Sequence, residues 1–465
     1  MFVNVPGSFR DPSGRVFDAG DTVLRTIQPC YREHWEQATE SGLLSQLVEK
    51  GFLLEFKEVP PVEGAWKCVQ AEKLPFISYP YEWSFPQLRD AALLTLEIQR
   101  CALNCGMTLK DASAYNVQFR GSRPVFIDLL SFEKRPDLAP WQAYRQFCMH
   151  FLAPLALQSF EPRLSRLSAQ WINGIPLDVA WGMLPARAKF SAGLQMHVHL
   201  HAKAEKRFED GRVAALRTRE VRVSSRQLLD VVESLERTIK ALPYAQMGGE
   251  WSEYYSDTNY SKAGAAHKER LVAEAARSFA GRLAHDFGAN TGRYSRLLAP
   301  HFDAVLASDL DAVAVARHYT ALASTPEDRL SSVLPLVVDL ANPSPAIGWA
   351  CLERQSFVQR GSADMVIALA LTHHLFFASG IPWAEQAAFF ASLLKPDGGL
   401  VVEFVPRGDS QVERLLAARD DGFTEYTLED FRANFGVFFQ EKASYRIMDS
   451  QRVLLILTTK KQDES

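Results

Sequence analysis

The C-terminal half of this chain spaces its reactive side chains regularly. Asp286 opens a turn that reads Asp286-Phe287-Gly288-Ala289-Asn290-Thr291-Gly292. Asp309 follows that turn by about the twenty residues expected of an acid that holds a ribose diol. Asp339 closes a further apolar run, His373 and His374 follow another, and Glu403 lies within a fifth, with Asp409 beyond it. A glycine turn lets the backbone approach a ligand because no Cβ intervenes. A histidine or carboxylate near a nucleophile can take its proton.

The elements that must position these groups are legible in order. Leu283 onward reads as a short apolar strand, followed by the turn, a helix and a second strand ending on Asp309, which is half of a nucleotide-binding βαβ unit. Ser332–Asp339 reads as a third strand. Ala363–Leu371 reads as a fourth, nearly continuous in apolar residues as a buried parallel strand must be. Trp383–Leu394 reads as a helix, Lys395–Gly399 as a turn and Leu400–Val405 as a fifth strand, with a helix near Ser410–Arg419. Ala443–Met448 and Arg452–Thr458 suit a terminal antiparallel pair. The predicted fold class is α/β: a seven-stranded Rossmann-like sheet over residues 249–465, with a different, α+β domain before it.

The turn resembles the first motif of class I S-adenosylmethionine-dependent methyltransferases, an acid followed by G-x-G-x-G. Asn290 replaces the middle glycine, and Asn tolerates the left-handed region better than other non-glycine residues. A dinucleotide fingerprint, G-x-G-x-x-G, fails from Gly288 at two of its three glycines. The resemblance implies that Asp286, Gly288, Asn290, Gly292 and Asp309 bind S-adenosylmethionine and that Asp339 accepts from the adenine amino group. Tyr254, Tyr255 and Tyr260 precede strand one, where the family covers its cofactor. Methyl transfer needs alignment in a dry pocket, and a base only when the nucleophile carries a proton. His373, His374 and Glu403, at the carboxyl ends of strands four and five where open α/β sheets bind ligands, are the catalytic candidates. Glu403 needs a partner if buried.

The first half is a different domain. Ser84–Cys105 has apolar residues at helical spacing: Leu88, Ala91, Ala92, Leu96, Ile98 and Leu103. After it, Asp111, Asn116 and Asp128 fall on the D-x-x-x-x-N and metal-binding positions of protein-kinase-like phosphotransferases, so residues 1–200 resemble that fold. Leu109 replaces the family's histidine, and neither a glycine-rich phosphate loop nor a V-A-I-K strand is present, Arg25 being the nearest cation. The expectation is a kinase-like domain without phosphotransfer. The bland alternative has Asp111 and Asn116 capping a loop and Asp128 paired with a cation. Residues 201–248 read as a helical linker. His197, His199 and His201 alternate, and would share a face on a strand but spread apart on a helix; no further ligand suggests a metal.

Ile77–Phe85 (ISYPYEWSF), Asp339–Trp349 and the histidine turn make most of the chain similar to a bacterial methyltransferase group related to host-specificity nodulation. That resemblance implies a small-molecule or glycan acceptor. Alternatives are a bifunctional kinase–methyltransferase, or an N-terminal module that presents a carrier or partner protein. A net charge of −4 gives no polyanion signature, so nucleic acid is an unexpected partner. No apolar run is long enough to span a membrane, and no signal peptide is visible. Cysteines at 30, 68, 101, 105, 148 and 351 suit reduced thiols in the cytoplasm.

Overall fold

Parallel strands buried on both faces need near-continuous apolar runs, and such runs set the architecture of the second half. The computed structural model describes residues 3–200, 222–244, 260–325, 332–417 and 426–460. The chain forms two compact units, Met1–Gln246 with Ala346–Arg354, and Met247–Pro345 with Gln355–Ser465. Among the described residues no helix is long and apolar enough to cross a membrane.

In the first unit, β1 (Val3–Asn4), β2 (Val16–Asp18), β3 (Thr22–Ile27), β4 (Phe56–Val59) and β5 (Lys67–Glu72) form an antiparallel sheet in the order β1-β2-β3-β5-β4. Two small antiparallel ladders follow, β6 (Met107–Leu109) with β9 (Phe132–Lys134), and β7 (Val117–Arg120) with β8 (Arg123–Phe126). The helix Phe85–Asn104 starts with Pro86 in its first turn and buries all six residues of its predicted apolar stripe.

The linker read over 201–248 is corrected for its described part. Ser225–Lys240 is a core helix of the first unit, burying Leu228, Val232, Leu235 and Ile239, and packs on Phe85–Asn104. Its apolar stripe at helical spacing requires such a partner, and Arg100 bridges Glu236 at 2.6 Å. His197 and His199 lie on the helical turn Gln195–His199, so they do not share a strand face. His197 is bonded to the Tyr144 hydroxyl at 2.6 Å and to Ser234 at 2.9 Å, and His199 stacks on Trp181. His201 lies outside the described residues.

The second unit is built on one mostly parallel sheet. Its strands are β10 (Gly281–Phe287), β11 (Phe302–Asp309), β12 (Val333–Val337), β13 (Ala363–Ala368), β14 (Leu394–Phe404), β15 (Phe439–Arg446) and β16 (Val453–Thr459). Their order is β12-β11-β10-β13-β14-β16-β15. The first five are parallel, while β16 runs antiparallel to both β14 and β15. Lys395–Gly399, read as a turn, loops out within the span of β14: pairing with β13 jumps from Ala363–Leu394 to Met365–Gly399, and Asp397 takes φ of 61°. Ala284, Val305, Val333, Ile367, Val401 and Leu454 form the core of the unit. Strand order reverses between β10 and β13. Open α/β sheets bind ligands outside the carboxyl ends at such a point.

Candidate functional site

The carboxyl end of β10 carries the glycine turn. Gly288, Asn290 and Gly292 take φ of 71°, 51° and 79°, three left-handed residues in alternation. The turn folds over β11, with Gly288 and Ala289 amides donating to the Ser308 carbonyl at 2.9 and 3.1 Å. Gly292 admits no side chain: an added Cβ would lie 1.9 Å from Nε2 of His318. Gly288 has ordinary room, its nearest neighbour being Leu371 at 3.5 Å, so only its φ demands glycine. Gly292→Ala should therefore destabilise the protein by more than the roughly 1–2 kcal/mol that left-handed strain alone sets for Gly288→Ala. Adding His318→Ala should recover only the steric excess. Urea denaturation of the three variants checks this ranking, and equal losses at 288 and 292 would refute it.

Acids stand at the ends of three adjacent strands. Asp286 is buried and accepts from the Ser295 hydroxyl at 2.6 Å. Asp309 accepts from the Asn290 amide at 2.8 Å through one oxygen and from the Asp311 amide at 2.9 Å through the other, which ties the turn to β11. Asp339, beyond β12, accepts from the Ala341 amide at 3.0 Å. Burial pushes Asp286 up to about 7 and Asp309 up to about 6. The structure thus brings Asp286, Gly288, Asn290, Gly292 and Asp309 into one cluster.

Glu403, fully buried near the end of β14, finds the partner that its apolar surroundings require. Lys268 donates to Oε2 at 2.6 Å and the Tyr260 hydroxyl donates to Oε1. Arg452 lies 3.9 Å from Oε1, donates to the Tyr260 oxygen at 3.0 Å, and grips Asp409 with two bonds of 2.7 and 3.0 Å. The Lys268 ammonium also sits 4.9 and 5.0 Å from the ring centres of Tyr260 and Tyr294. Burial raises Glu403 to about 7 against the pull of Arg452. Burial, with Arg452 and Arg293 nearby, holds Lys268 well below the usual lysine range.

Tyr260, read from the sequence as a cofactor residue, thus shares a network with Glu403, read as an acceptor-side residue. Tyr254 and Tyr255 lie outside the described residues. Lys268 and Arg452 escape the sequence reading. A signal exists for Lys268: it shares the buried face of Lys262–Ser278 with Gly264, Leu271, Val272, Ala275 and Ala276.

His373 and His374 begin the short helix Thr372–Phe377 after β13, and their ring centres are 4.2 Å apart. The Thr372 hydroxyl donates to the Glu403 carbonyl at 3.1 Å, tying this helix to β14. His373 is fully buried, and among the described residues neither of its ring nitrogens has a hydrogen-bond partner. Burial, then the charge of His374, holds His373 well below the usual histidine range, and burial lowers His374 to about 4.

In the first unit, Asp111, Asn116 and Asp128 come together, and cations and hydroxyls engage them. Arg25 bridges Asp128 at 3.0 Å and Asp11 at 2.7 Å. Ser131 donates to Asp128 at 2.6 Å and accepts from Asn116 at 3.0 Å. Asp111 accepts from the Ser113 amide at 2.9 Å, and its carboxyl is raised, first by burial and then by Asp128.

No family model matches the chain. It is 35% identical over 461 residues to nodulation protein NoeA of Rhizobium meliloti strain 1021, covering 97% of this chain and 95% of NoeA. Among solved structures it is similar to N-methyltransferase NodS of Bradyrhizobium japonicum WM9 with S-adenosyl-L-homocysteine, at 13% identity and a TM-score of 0.33, over 46% of this chain and 94% of NodS. It is also similar to the magnesium protoporphyrin IX methyltransferase ChlM of Synechocystis PCC 6803 with bound S-adenosylhomocysteine, at 19% identity and a TM-score of 0.31, over 45% of this chain and 92% of ChlM.

Proposed function

The chain belongs to the family of the nodulation protein NoeA, and on that premise we propose that it transfers a methyl group from S-adenosylmethionine to a small molecule or glycan, at a hydroxyl. The observation that carries the reading is the turn Gly288–Gly292 bound to Asp309 at the strand-order reversal. The residues fit the cofactor: a tight turn with left-handed Gly288, Asn290 and Gly292 stands beside three acids on adjacent strand ends. When bound, the cofactor supplies a methyl group on a sulfonium, open to in-line displacement. Asp309 takes the ribose hydroxyls, since each carboxylate oxygen keeps a lone pair beyond the amide bond it already accepts. Asp339 takes the adenine amino group. Tyr260, before β10, stands on the cofactor side, its hydroxyl held by Glu403 and its ring 4.9 Å from both Lys268 and Arg452.

On the acceptor side, His373 and His374 are the groups that would receive a hydroxyl proton. Glu403, with Lys268 on one oxygen and Tyr260 on the other, holds the wall of the crevice. The first unit is read as kinase-like without phosphotransfer. Arg25 on Asp128 supports the absence of phosphotransfer, because that carboxylate is already paired with a cation of the chain itself. Its role is then to present the acceptor or a carrier protein, in the cytoplasm. Magnesium-dependent phosphate transfer lost in Asp128→Asn would favour the bifunctional alternative.

Asp309→Ala tests the cofactor assignment. Hydrogen bonds to a charged group contribute about 1.5–3 kcal/mol each, and roughly 1.4 kcal/mol is one decade of affinity. Calorimetric titration with S-adenosylhomocysteine should show at least about tenfold weaker binding. Unchanged affinity removes Asp309 from the site.

A further inference from the structure

Between β12 and β13 the chain leaves the second unit at Pro345, belongs to the first from Ala346 to Arg354, and returns at Gln355. Within this strap Gly348, Ala350 and Cys351 take φ of 87°, 53° and 58°. Non-glycine residues persist in the left-handed region only where their surroundings over-determine them. Here the surroundings are specific. Arg10 donates two bonds to Glu353, at 2.6 and 2.7 Å, and the Trp349 amide donates a third at 2.7 Å. Glu353 is 5% exposed. An added Cβ on Gly348 would lie 2.6 Å from the Cβ of Glu353, so the strap is closed tightly around this carboxylate. Ile347 and Arg354 exchange amide-to-carbonyl bonds of 3.0 and 3.1 Å across its base. The Arg354 guanidinium lies 4.3 Å over the Tyr115 ring.

Next in sequence on either side of the strap, the second unit holds a second rung, in which the Phe357 amide donates to the Ser344 carbonyl at 2.9 Å. Phe357 is buried against His285 and Phe287 of β10, the strand that delivers the glycine turn. Ser344 is also only five residues beyond Asp339, whose backbone carbonyl accepts from the Asn342 amide at 3.1 Å. The strap is therefore continuous in sequence, through two bonded rungs, with the segment that carries the acid at the end of β12.

We propose that Arg10 and Glu353 are positioning residues for cofactor binding: by clamping Ala346–Arg354 they fix the segment Asp339–Ser344 at the end of β12. The inference rests on the cofactor reading above and adds a site in the N-terminal residues that acts on it. An ion pair made only to stabilise the first unit would change its melting and leave cofactor affinity alone. A positioning pair changes affinity, and does so through Asp339.

The test is calorimetric titration of the full-length protein with S-adenosylhomocysteine. Arg10→Ala and Glu353→Ala should each weaken binding by at least about fivefold, the lower end of ordinary coupling between sites. Their combination should weaken it no further than either alone, because both remove one interaction. In an Asp339→Ala background, Arg10→Ala should have no additional effect. Arg10→Lys, which keeps the charge and loses the two-bond grip, should fall between wild type and Arg10→Ala, and serves if either alanine variant fails to fold by circular dichroism. Unchanged affinity in Arg10→Ala and Arg10→Lys, with binding still weakened by Asp309→Ala, overturns the clamp and leaves the cofactor reading intact. An effect of Arg10→Ala that persists undiminished without Asp339 also overturns it. Wild-type protein that does not bind the ligand at all overturns both.

Discussion

Replacing Lys268 by Met should cost the protein about 3–5 kcal/mol of stability, the usual consequence of removing one partner from a buried ion pair. Lys268 and Glu403 are 2.6 Å apart with side-chain exposures of 3% and 0%. The variant leaves a carboxyl in a dry site with the Tyr260 hydroxyl, and with Arg452 no nearer than 3.9 Å. Combining it with Glu403→Gln should recover a substantial part, because the uncompensated charge is gone.

The loss depends on pH with a definite sign. Glu403 in the folded protein is raised to about 7 from an ordinary 4.5. A raised carboxyl contributes stability that is fully present below its unfolded value and is lost as pH rises through its folded value. Removing the Lys268 cation raises it further, so the deficit of Lys268→Met should be greater at about pH 8 than at about pH 5.5. Urea denaturation at the two pH values measures it. A deficit below about 1 kcal/mol, the level of an exposed pair, or one independent of pH, would mean that water reaches the pair.

The parts of this molecule that were legible in the sequence are those determined locally. Strand positions follow from apolar runs such as Ala363–Ala368, which parallel burial forces into a recognisable composition. Asn290 could be placed because a left-handed position admits few residue types, and its φ is 51°. Glu403 stood out as a charge inside an apolar run, but its partners could not be named. Lys268 is 135 residues away and Arg452 is 49, and pairing over such separations is decided by strand order. The same holds for Glu353, which reads as a polar loop residue until Arg10, 343 positions earlier, meets it. The helix Ser225–Lys240 reads as a charged linker because its apolar stripe is narrow. Only its packing on Phe85–Asn104 shows which face is core.

Turnover should depend on the histidine pair more than on the buried carboxylate. His373 and His374 follow the end of β13, and among the described residues the ring nitrogens of His373 have no hydrogen-bond partner. Glu403 is fully buried, with one oxygen engaged by Lys268 and the other by Tyr260, so it is already committed to a structural network. A positioned base contributes about 10²–10⁴-fold. Substituting either histidine by Ala is expected to lower methyl transfer by at least about tenfold, below that range because the neighbouring ring can substitute in part. Affinity for S-adenosylhomocysteine should stay nearly unchanged, since strands β10 to β12 carry the cofactor-side residues. The pH profile separates the two candidates. A base works when deprotonated, and His374 is lowered to about 4 while Glu403 is raised to about 7. Formation of S-adenosylhomocysteine with a panel of sugars and phenols should therefore be flat from about pH 5.5 to 8 if a histidine accepts the proton. A rate that climbs through a midpoint near 7, with the climb abolished in Glu403→Gln and retained in His374→Ala, would return the role to Glu403 and make the histidines packing residues.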